Sequence, residues 1–598
     1  MARNLALTSA LSLALVACQS APSVSAQTVA APATPAPVAE TPAPAQSVPL
    51  LDYQSIHHPV TARNGMVVSQ EELASRVGVQ ILEQGGNAVD AAVAVGFALA
   101  VTLPRAGNVA GGGFMMIYDA ETDDYISIDY KELAPYAAFR DMYVDENGDV
   151  DLDAARREYT ASGVPGTVAA FEVALENYGT MSFAEVVAPA VELARNGIEV
   201  TYDLAQSLEF AEDKLGSNAA ARAIFYHEDG SYYQPGEILV QEDLAWSLEQ
   251  IGQYGAAAFY EGQLAEMIVA DQEANGGLIT MQDMADYEAE LREPLRFDYR
   301  GYELVLMPPP SSGGVHIQQM FNVLDEFDLA EMGHNSAATM HIVVEAMRQA
   351  YADRSVHLGD PDFYDIPVEW LTSDEYAEET LAAIPADHAR SSADVNPGVA
   401  PPPESPDTTH YSVWDSEGNV VSNTYSLNYS YGNGAVAAGT GILMNNGMDD
   451  FSAQPGQPNG YGLIGGEYNS IEPHKRSLSS MTPAMILQDG KPYVVTGSPG
   501  GSRIITTVMQ VLMNVIDFDM NIAEATNAPR FHHQWYPDVV FVEPVGFSAD
   551  TIRAMEAMGY VFEEAGYTMG STQSIMRQGD FLYGAADPRR PGAMAIGY

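Results

Sequence analysis

A single cysteine, Cys18, in a chain of 598 residues excludes intrachain disulfides and any cysteine-rich metal site. Basic side chains are scarce too: 26 Lys plus Arg stand against 81 Asp plus Glu, a formal net charge of −55 at pH 7. Nucleic-acid binding needs a basic footprint, so that class of function is excluded. Plain solubility and a saline medium that screens self-repulsion both account for the acidic excess. No block of like charge is long enough to mark a disordered tail. The twelve histidines show no His-x-x-x-His or Cys-His spacing. The adjacent His532 and His533 would face opposite ways in an extended run, so they read as structural and no metal is expected. Gly111-Gly112-Gly113 lacks the Lys-Ser/Thr that a phosphate loop requires, and no cofactor is expected. The apolar stretch at residues 5–17 is too short to span a membrane as a stable helix.

That stretch follows Arg3 and has the length of a signal peptide. It ends in Leu15-Val16-Ala17-Cys18, which resembles a bacterial lipoprotein cleavage box. Gln19 after the cysteine then implies retention at the outer membrane of a Gram-negative envelope. The plainer alternative is a secretory signal cut near Val24-Ser25-Ala26, with Cys18 discarded and the protein soluble in the periplasm. The expected organisation is a signal peptide at 1–17, an Ala/Pro-rich tether at 18–49, and then one large α/β unit whose 46% hydrophobic content is ample for a core. Within that unit, Ser69-Gln70-Glu71-Glu72 reads as a capping box. Leu73, Val77 and Ile81 follow at helical spacing, and Gly85 is placed to end the helix. Residues 340–354, with Val343, Met347, Ala350 and Tyr351, predict another helix.

The most informative boundary is at Thr408. The segment Ala400-Pro401-Pro402-Pro403-Glu404-Ser405-Pro406-Asp407 is extended and solvated by composition. It gives way to Thr408-Thr409-His410-Tyr411-Ser412-Val413, which reads as a buried strand. A strand-initial threonine freed by cleavage carries a hydroxyl nucleophile beside an α-amine able to act as its base. Asp415-Ser416-Glu417-Gly418-Asn419 is a turn cluster, and residues 420–428 form a second strand-like run, so the pair predicts a β-hairpin. With the turn centred on Glu417, residue 408 lies opposite residue 426, their side chains roughly 5 Å apart, with Asn428 on the same face. Residues 493–504 run from an apolar strand through Gly497-Ser498-Pro499-Gly500-Gly501-Ser502 into a helical pattern. Unpaired N–H groups at such a turn make a ready oxyanion site.

With these segments in place, the chain resembles the gamma-glutamyltranspeptidase family of the N-terminal-nucleophile hydrolase superfamily over residues 58–598. The segments that carry the resemblance include Gly85-Gly86-Asn87-Ala88-Val89-Asp90, Gly111-Gly112-Gly113-Phe114-Met115, Gly163-Val164-Pro165-Gly166-Thr167 and Pro310-Ser311-Ser312-Gly313-Gly314. Further along they include Met448-Asp449-Asp450-Phe451, Leu478-Ser479-Ser480-Met481 and the two segments at Thr408 and Gly497. The resemblance implies an αββα sandwich made as one precursor that cleaves itself between Asp407 and Thr408. The products would be a large subunit, 50–407, and a small catalytic subunit, 408–598, held together as a heterodimer in one integrated fold. Thr408 would then attack the γ-amide carbon of glutathione or a related γ-glutamyl compound. Gly500 and Gly501 would stabilise the oxyanion, and water or an amino acid or peptide amine would accept the glutamyl group. The same resemblance assigns Ser426 to orienting the nucleophile, Asn428 and Asp450 to the substrate's α-amino group, and Ser479 and Ser480 to its α-carboxylate. An ammonium needs a carboxylate and a carboxylate needs donors.

Two departures bear on specificity. Lys131 stands where the family usually has Arg, replacing a bidentate fork for the α-carboxylate by a point charge. Gly447 stands where the family usually carries Gln or Glu, leaving Asp450 and Asn428 to hold the α-amine. A smaller one is Ala110, where relatives usually have another Gly. Lys131 and Gly447 motivate one alternative, a related acylase acting on glutaryl or other acyl amides; the intact Thr408, Ser426 and Gly500-Gly501 set argues against another, a non-catalytic envelope lipoprotein. Residues 455–463 resemble the substrate lid of bacterial relatives, with Tyr461 at its tip.

Overall fold

The structure is a computed structural model that describes residues 55–395, 408–457, 459, 462–566 and 568–598. The expectations for the signal peptide, tether, Cys18, Asp407 and Tyr461 fall outside these residues. Period-two alternation along the strands sorts their side chains into two different cores. Val67, Met115, Ile117, Tyr411, Val413 and Val421 enter one core, with the helices Glu72–Glu83 and Ala88–Thr102. Their neighbours Met66, Val68, Phe114, Met116, Trp414 and Val420 enter the other. One sheet thus buries both faces, which explains strands that are apolar on both sides.

That sheet has seven antiparallel strands in the order Met594–Gly597, Met66–Ser69, Thr409–Trp414, Val420–Ser426, Gly112–Asp119, Asp124–Asp129, Glu290–Arg292. A second seven-stranded antiparallel sheet runs Val60–Ala62, Phe581–Ala586, Gln573–Gln578, Lys491–Thr496, Ala484–Gln488, Tyr302–Leu306, Leu295–Tyr299. Its core is shared with the helices Gly313–Leu324, Ala337–His357 and Arg503–Ile516. Helices cover both outer faces, so the layers are αββα, as expected. Both sheets interleave strands from before and after residue 408.

The helix Ala88–Thr102 is buried at every residue, which suits a segment that is apolar all round. Asn87 caps it, and Asp90 at the third position returns the bond to the Asn87 N–H at 2.8 Å. The preceding helix corrects one expectation. Ser69 is the last residue of a strand rather than a cap, and the cap of Glu72–Glu83 is Glu71, whose carboxylate accepts from the N–H of Leu73 at 2.8 Å and of Ala74 at 3.2 Å. Gly85 ends the helix as predicted, at a φ of 95°. The helix expected over 340–354 is present and longer, Ala337–His357. No helix among the described residues is long and apolar enough to cross a membrane.

Candidate active site

The predicted hairpin forms, and its register is the expected one: Thr409 pairs with Tyr425 and Trp414 with Val420, which carries residue 408 opposite residue 426. Alternate side chains of the two strands point into the gap between the sheets. The Ser412 hydroxyl donates to the Gln573 carbonyl at 2.8 Å and Ser422 to the Thr496 carbonyl at 3.1 Å, while His410 Nδ1 hydrogen-bonds with Thr424 Oγ1 at 2.8 Å. Burial pushes the His410 imidazole down to about 3, so it sits neutral in the seam and is no proton acceptor at neutral pH. Thr408 and Ser426 continue this polar row to its open end. Both are buried, and Thr408 Oγ1 lies 3.5 Å from Ser426 Oγ, a long contact oriented for donation by Thr408.

Asn428 reaches the same place by a different route from the one period-two reasoning gives. The strand stops at Ser426, and Asn428 adopts a φ of 78°, in the left-handed region that Asn tolerates better than most residues. Ser426 Oγ fixes this turn by accepting the Asn428 N–H at 2.8 Å, and Asn428 Nδ2 donates to the Asn446 carbonyl at 2.9 Å.

The glycine turn lies between the strand Lys491–Thr496 and the helix Arg503–Ile516, as predicted. Gly500 has a φ of 138° and Gly501 a φ of 56°, conformations that glycine adopts at no steric cost. Gly497 is needed for a different reason: a Cβ there would overlap the His410 ring. Gly501 lines the cleft beside Thr408, whereas Gly500, one residue back, is not part of its wall.

The opposite wall is built of charge. Asp450 sits in a short 3₁₀ turn, Gly447–Asp450, whose entry is fixed by Asn445. Asn445 Oδ1 accepts from the N–H of Gly447 and of Gly163, both at 2.9 Å, and its amide donates to the Ala110 carbonyl at 2.9 Å. Three of the segments singled out in the sequence are thereby stitched together by one side chain. Lys131 Nζ lies 2.7 Å from Glu132 Oε2 and 2.8 Å from Asp450 Oδ2, with all three groups buried. Burial opposes the Lys131 charge, but the two carboxylates outweigh it and hold the ammonium above the usual lysine range. Gly447 explains how Glu132 fits: a Cβ at 447 would come to 3.0 Å from the Glu132 carboxyl carbon.

Ser479 and Ser480 close the cleft from the side. The Ser479 carbonyl accepts from the N–H and the hydroxyl of Ser312, each at 2.8 Å, which gives Pro310-Ser311-Ser312-Gly313-Gly314 a structural purpose. Asn469 ties this segment to Asp450, its amide donating to the Asp450 carbonyl and its oxygen accepting the Leu478 N–H, both at 2.8 Å.

Lys131, Thr408, Ser426, Asn428, Asp450, Ser479, Ser480 and Gly501 therefore line one cleft. Sequence reasoning missed Glu132 as the partner of Lys131, and it missed Arg354. The latter lines the cleft from the last turn of Ala337–His357, where it reads as the polar residue of an amphipathic helix. Asn459 and Leu463 of the segment expected to form a lid also line the cleft, joined by a hydrogen bond from the Asn459 N–H to the Leu463 carbonyl at 3.0 Å. His532 and His533 are absorbed elsewhere: His532 hydrogen-bonds with Thr506 and Gln534, each at 2.8 Å, and His533 accepts the Trp535 N–H at 3.1 Å.

A strand-initial threonine set against a glycine turn, at the open end of an αββα sandwich, defines the class of N-terminal-nucleophile hydrolases. Comparison with known proteins narrows it. The family model of gamma-glutamyltranspeptidase matches residues 74–597. The glutathione hydrolase proenzyme of Escherichia coli (strain K12) is 51% identical over 549 residues, 91% of this chain and 94% of the relative. The crystal structure of Helicobacter pylori gamma-glutamyltranspeptidase is 41% identical, with a TM-score of 0.54 over 58% of this chain and 97% of that one. Cephalosporin acylase from Bacillus halodurans superposes with a TM-score of 0.80 at 28% identity, over 92% of this chain and 98% of that one. The chain belongs to the gamma-glutamyltranspeptidase family, whose members are hydrolases and transferases of the self-cleaving kind.

Proposed function

We propose that the chain is a self-processing gamma-glutamyltransferase and glutathione hydrolase that works through Thr408. The observation that carries this reading is the Thr408 hydroxyl, 3.5 Å from Ser426 Oγ in the cleft that Gly501 and Asp450 also line. In the precursor, Thr408 Oγ attacks the Asp407 carbonyl carbon and the peptide C–N bond gives way to an ester. Water then hydrolyses the ester, leaving a carboxylate on Asp407 and a free amine on Thr408. In turnover that amine takes the hydroxyl proton as Oγ attacks the γ-amide carbon of the donor. The glycine turn meets the developing oxyanion through Gly501, the member of the Gly500-Gly501 pair that lines the cleft. The tetrahedral species collapses, expelling the leaving amine with the proton that the Thr408 amine had taken, and water or a second amine resolves the ester.

Recognition follows from charge. The donor's α-ammonium is held by Asp450 with Asn428, and its carboxylate is met by Ser479 and Ser480. Because the base is an α-amine, which titrates near 7.7–8.0, kcat should rise with pH through that range. The segment 455–463 acts as a lid that limits water. The precursor is exported, processed to the subunits 50–407 and 408–598, and anchored through a lipid on Cys18. Loss of radiolabelled palmitate incorporation in Cys18→Ala checks the anchor.

Intact-mass spectra of the purified protein, followed by an assay of glutamate release from glutathione, test the main reading. Two fragments, the smaller beginning at Thr408, together with glutamate release are expected; an uncut chain would remove it. A second reading, a glutaryl-amide acylase, is favoured by one observation: Lys131 Nζ already sits on Asp450 at 2.8 Å, where a substrate ammonium would go. Fragments without glutamate release would favour it.

A further inference from the structure

Two buried cations face the cleft, and their surroundings differ. Lys131 has two carboxylates within 2.8 Å, and the second oxygen of Glu132 is buried without a hydrogen-bond partner, so this corner already holds more negative than positive charge. A third carboxylate brought to Lys131 would meet two like charges in a low-dielectric site.

Arg354 is as deeply buried, 3% exposed, yet no carboxylate among the described residues pairs with it. Its Nε donates to Ser312 Oγ at 3.0 Å and its Nη2 to Ser480 Oγ at 3.3 Å. Ser312 in turn donates to the Ser479 carbonyl, so the guanidinium is fixed onto the serine pair rather than left to swing. Its neighbour Asp353 is turned elsewhere, accepting from Gln319 at 3.0 Å and from Tyr376 at 2.8 Å. The surrounding groups leave the charge uncompensated: burial pushes Arg354 down to about 10, with only modest opposition from Tyr351 and Asp450. A buried guanidinium without an anion is costly unless something supplies one. A planar fork beside two serine hydroxyls matches a carboxylate.

Resting on the reading above, we infer that Arg354, with Ser479 and Ser480, receives the carboxylate of the donor, while Lys131 stays with Asp450 and Glu132 and tempers the demand for an α-amine. The donors this selects are mono-amides of five-carbon dicarboxylic acids. γ-Glutamyl amides satisfy both ends of the site, and glutaryl amides satisfy the carboxylate end.

The test uses full-length enzyme and three p-nitroanilides: γ-glutamyl, glutaryl, which lacks the amine, and 4-aminobutanoyl, which lacks the carboxylate. In wild type, kcat/KM for γ-glutamyl should exceed that for 4-aminobutanoyl by roughly 30- to 100-fold, the scale of a charge-assisted hydrogen-bonded pair. In Arg354→Gln this preference should collapse to within about 3-fold through KM and kcat together, with partial recovery in Arg354→Lys. In Lys131→Gln the carboxylate preference should survive, and the ratio of γ-glutamyl to glutaryl turnover should move instead. A preference that survives Arg354→Gln and vanishes in Lys131→Gln overturns the inference. If the variants fail to mature, a crystal structure of wild type with L-glutamate decides. A carboxylate within hydrogen-bond reach of the guanidinium supports the inference, and one on Lys131 Nζ with Arg354 out of reach overturns it. Wild type that cleaves only the glutaryl anilide contradicts the gamma-glutamyl reading. The inference then stands or falls on glutaryl against butanoyl anilide.

Discussion

The two walls of the cleft are built on opposite principles. The Thr408 wall is neutral: hydroxyls, a glycine turn and an uncharged His410, all placed by one hairpin and the strand–turn–helix facing it. The Asp450 wall is ionic, with Lys131, Glu132, Asp450 and Arg354 gathered from three separate stretches of chain and buried together. Neutral chemistry at a strand end needs only local geometry, whereas an ionic site must satisfy every buried charge and so depends on its whole surroundings. The first wall should therefore fail outright when a single atom is removed, and the second should shift its preference by degrees.

The largest effect is expected at the neutral wall. Thr408→Ala should remain a single uncut chain on a denaturing gel and show no detectable hydrolysis, while Thr408→Ser, which keeps a hydroxyl, should still be cut. Next comes Gly497→Ala. The added Cβ has no room against the buried His410 ring, so a loss of about 3 kcal/mol and poor maturation are expected, seen as a lowered Tm and a smaller cut fraction.

At the ionic wall the expected changes are graded. Asp450→Asn should lower kcat/KM for γ-glutamyl anilide by roughly 100-fold but for glutaryl anilide by less than about 10-fold, because only the former carries an ammonium. Equal losses on both would show that the two walls do not divide the work in this way.

The smallest effect concerns Asp449. Burial pushes its carboxyl up to about 6, against the favourable Arg156 and Tyr429, which donate to it at 3.1 Å and 2.8 Å. An unfolded aspartate titrates near 3.9, so through the interval up to about 6 the native state keeps a proton that the unfolded state has released. Stability must then fall as pH rises across that window, by no more than about 3 kcal/mol. Asp449→Asn should lessen the slope of stability against pH across that window, to which Asp353 and Asp517, pushed up to about 6 by burial, also contribute, and an unchanged slope would count against the shift.

The same division explains what the sequence could reveal. The hairpin register was legible because the turn cluster at 415–419 and the two-residue period fix it locally, and a glycine run between a strand and a helix identifies the facing turn. The ionic wall follows no period. Asp450, Ser479 and Ser480 entered only through the family resemblance, and Arg354 escaped because a helix bearing Val343, Met347, Ala350 and Tyr351 reads as a core stripe with a polar residue beside it. Its burial follows from the contact with Ser312 and Ser480, far away in sequence. The misread cap at Ser69 has a local cause: a strand and a helix meet within three residues there, and Ser69 belongs to the strand.

The most direct test of the central claim is to mix matured enzyme briefly with a γ-glutamyl anilide, quench in acid and take the mass of each chain. A gain of one glutamyl group on the fragment that begins at Thr408, mapped to that residue by peptide sequencing, is the predicted result. A glutamyl group on another side chain, or turnover by a chain that was never cut at Asp407–Thr408, would contradict it.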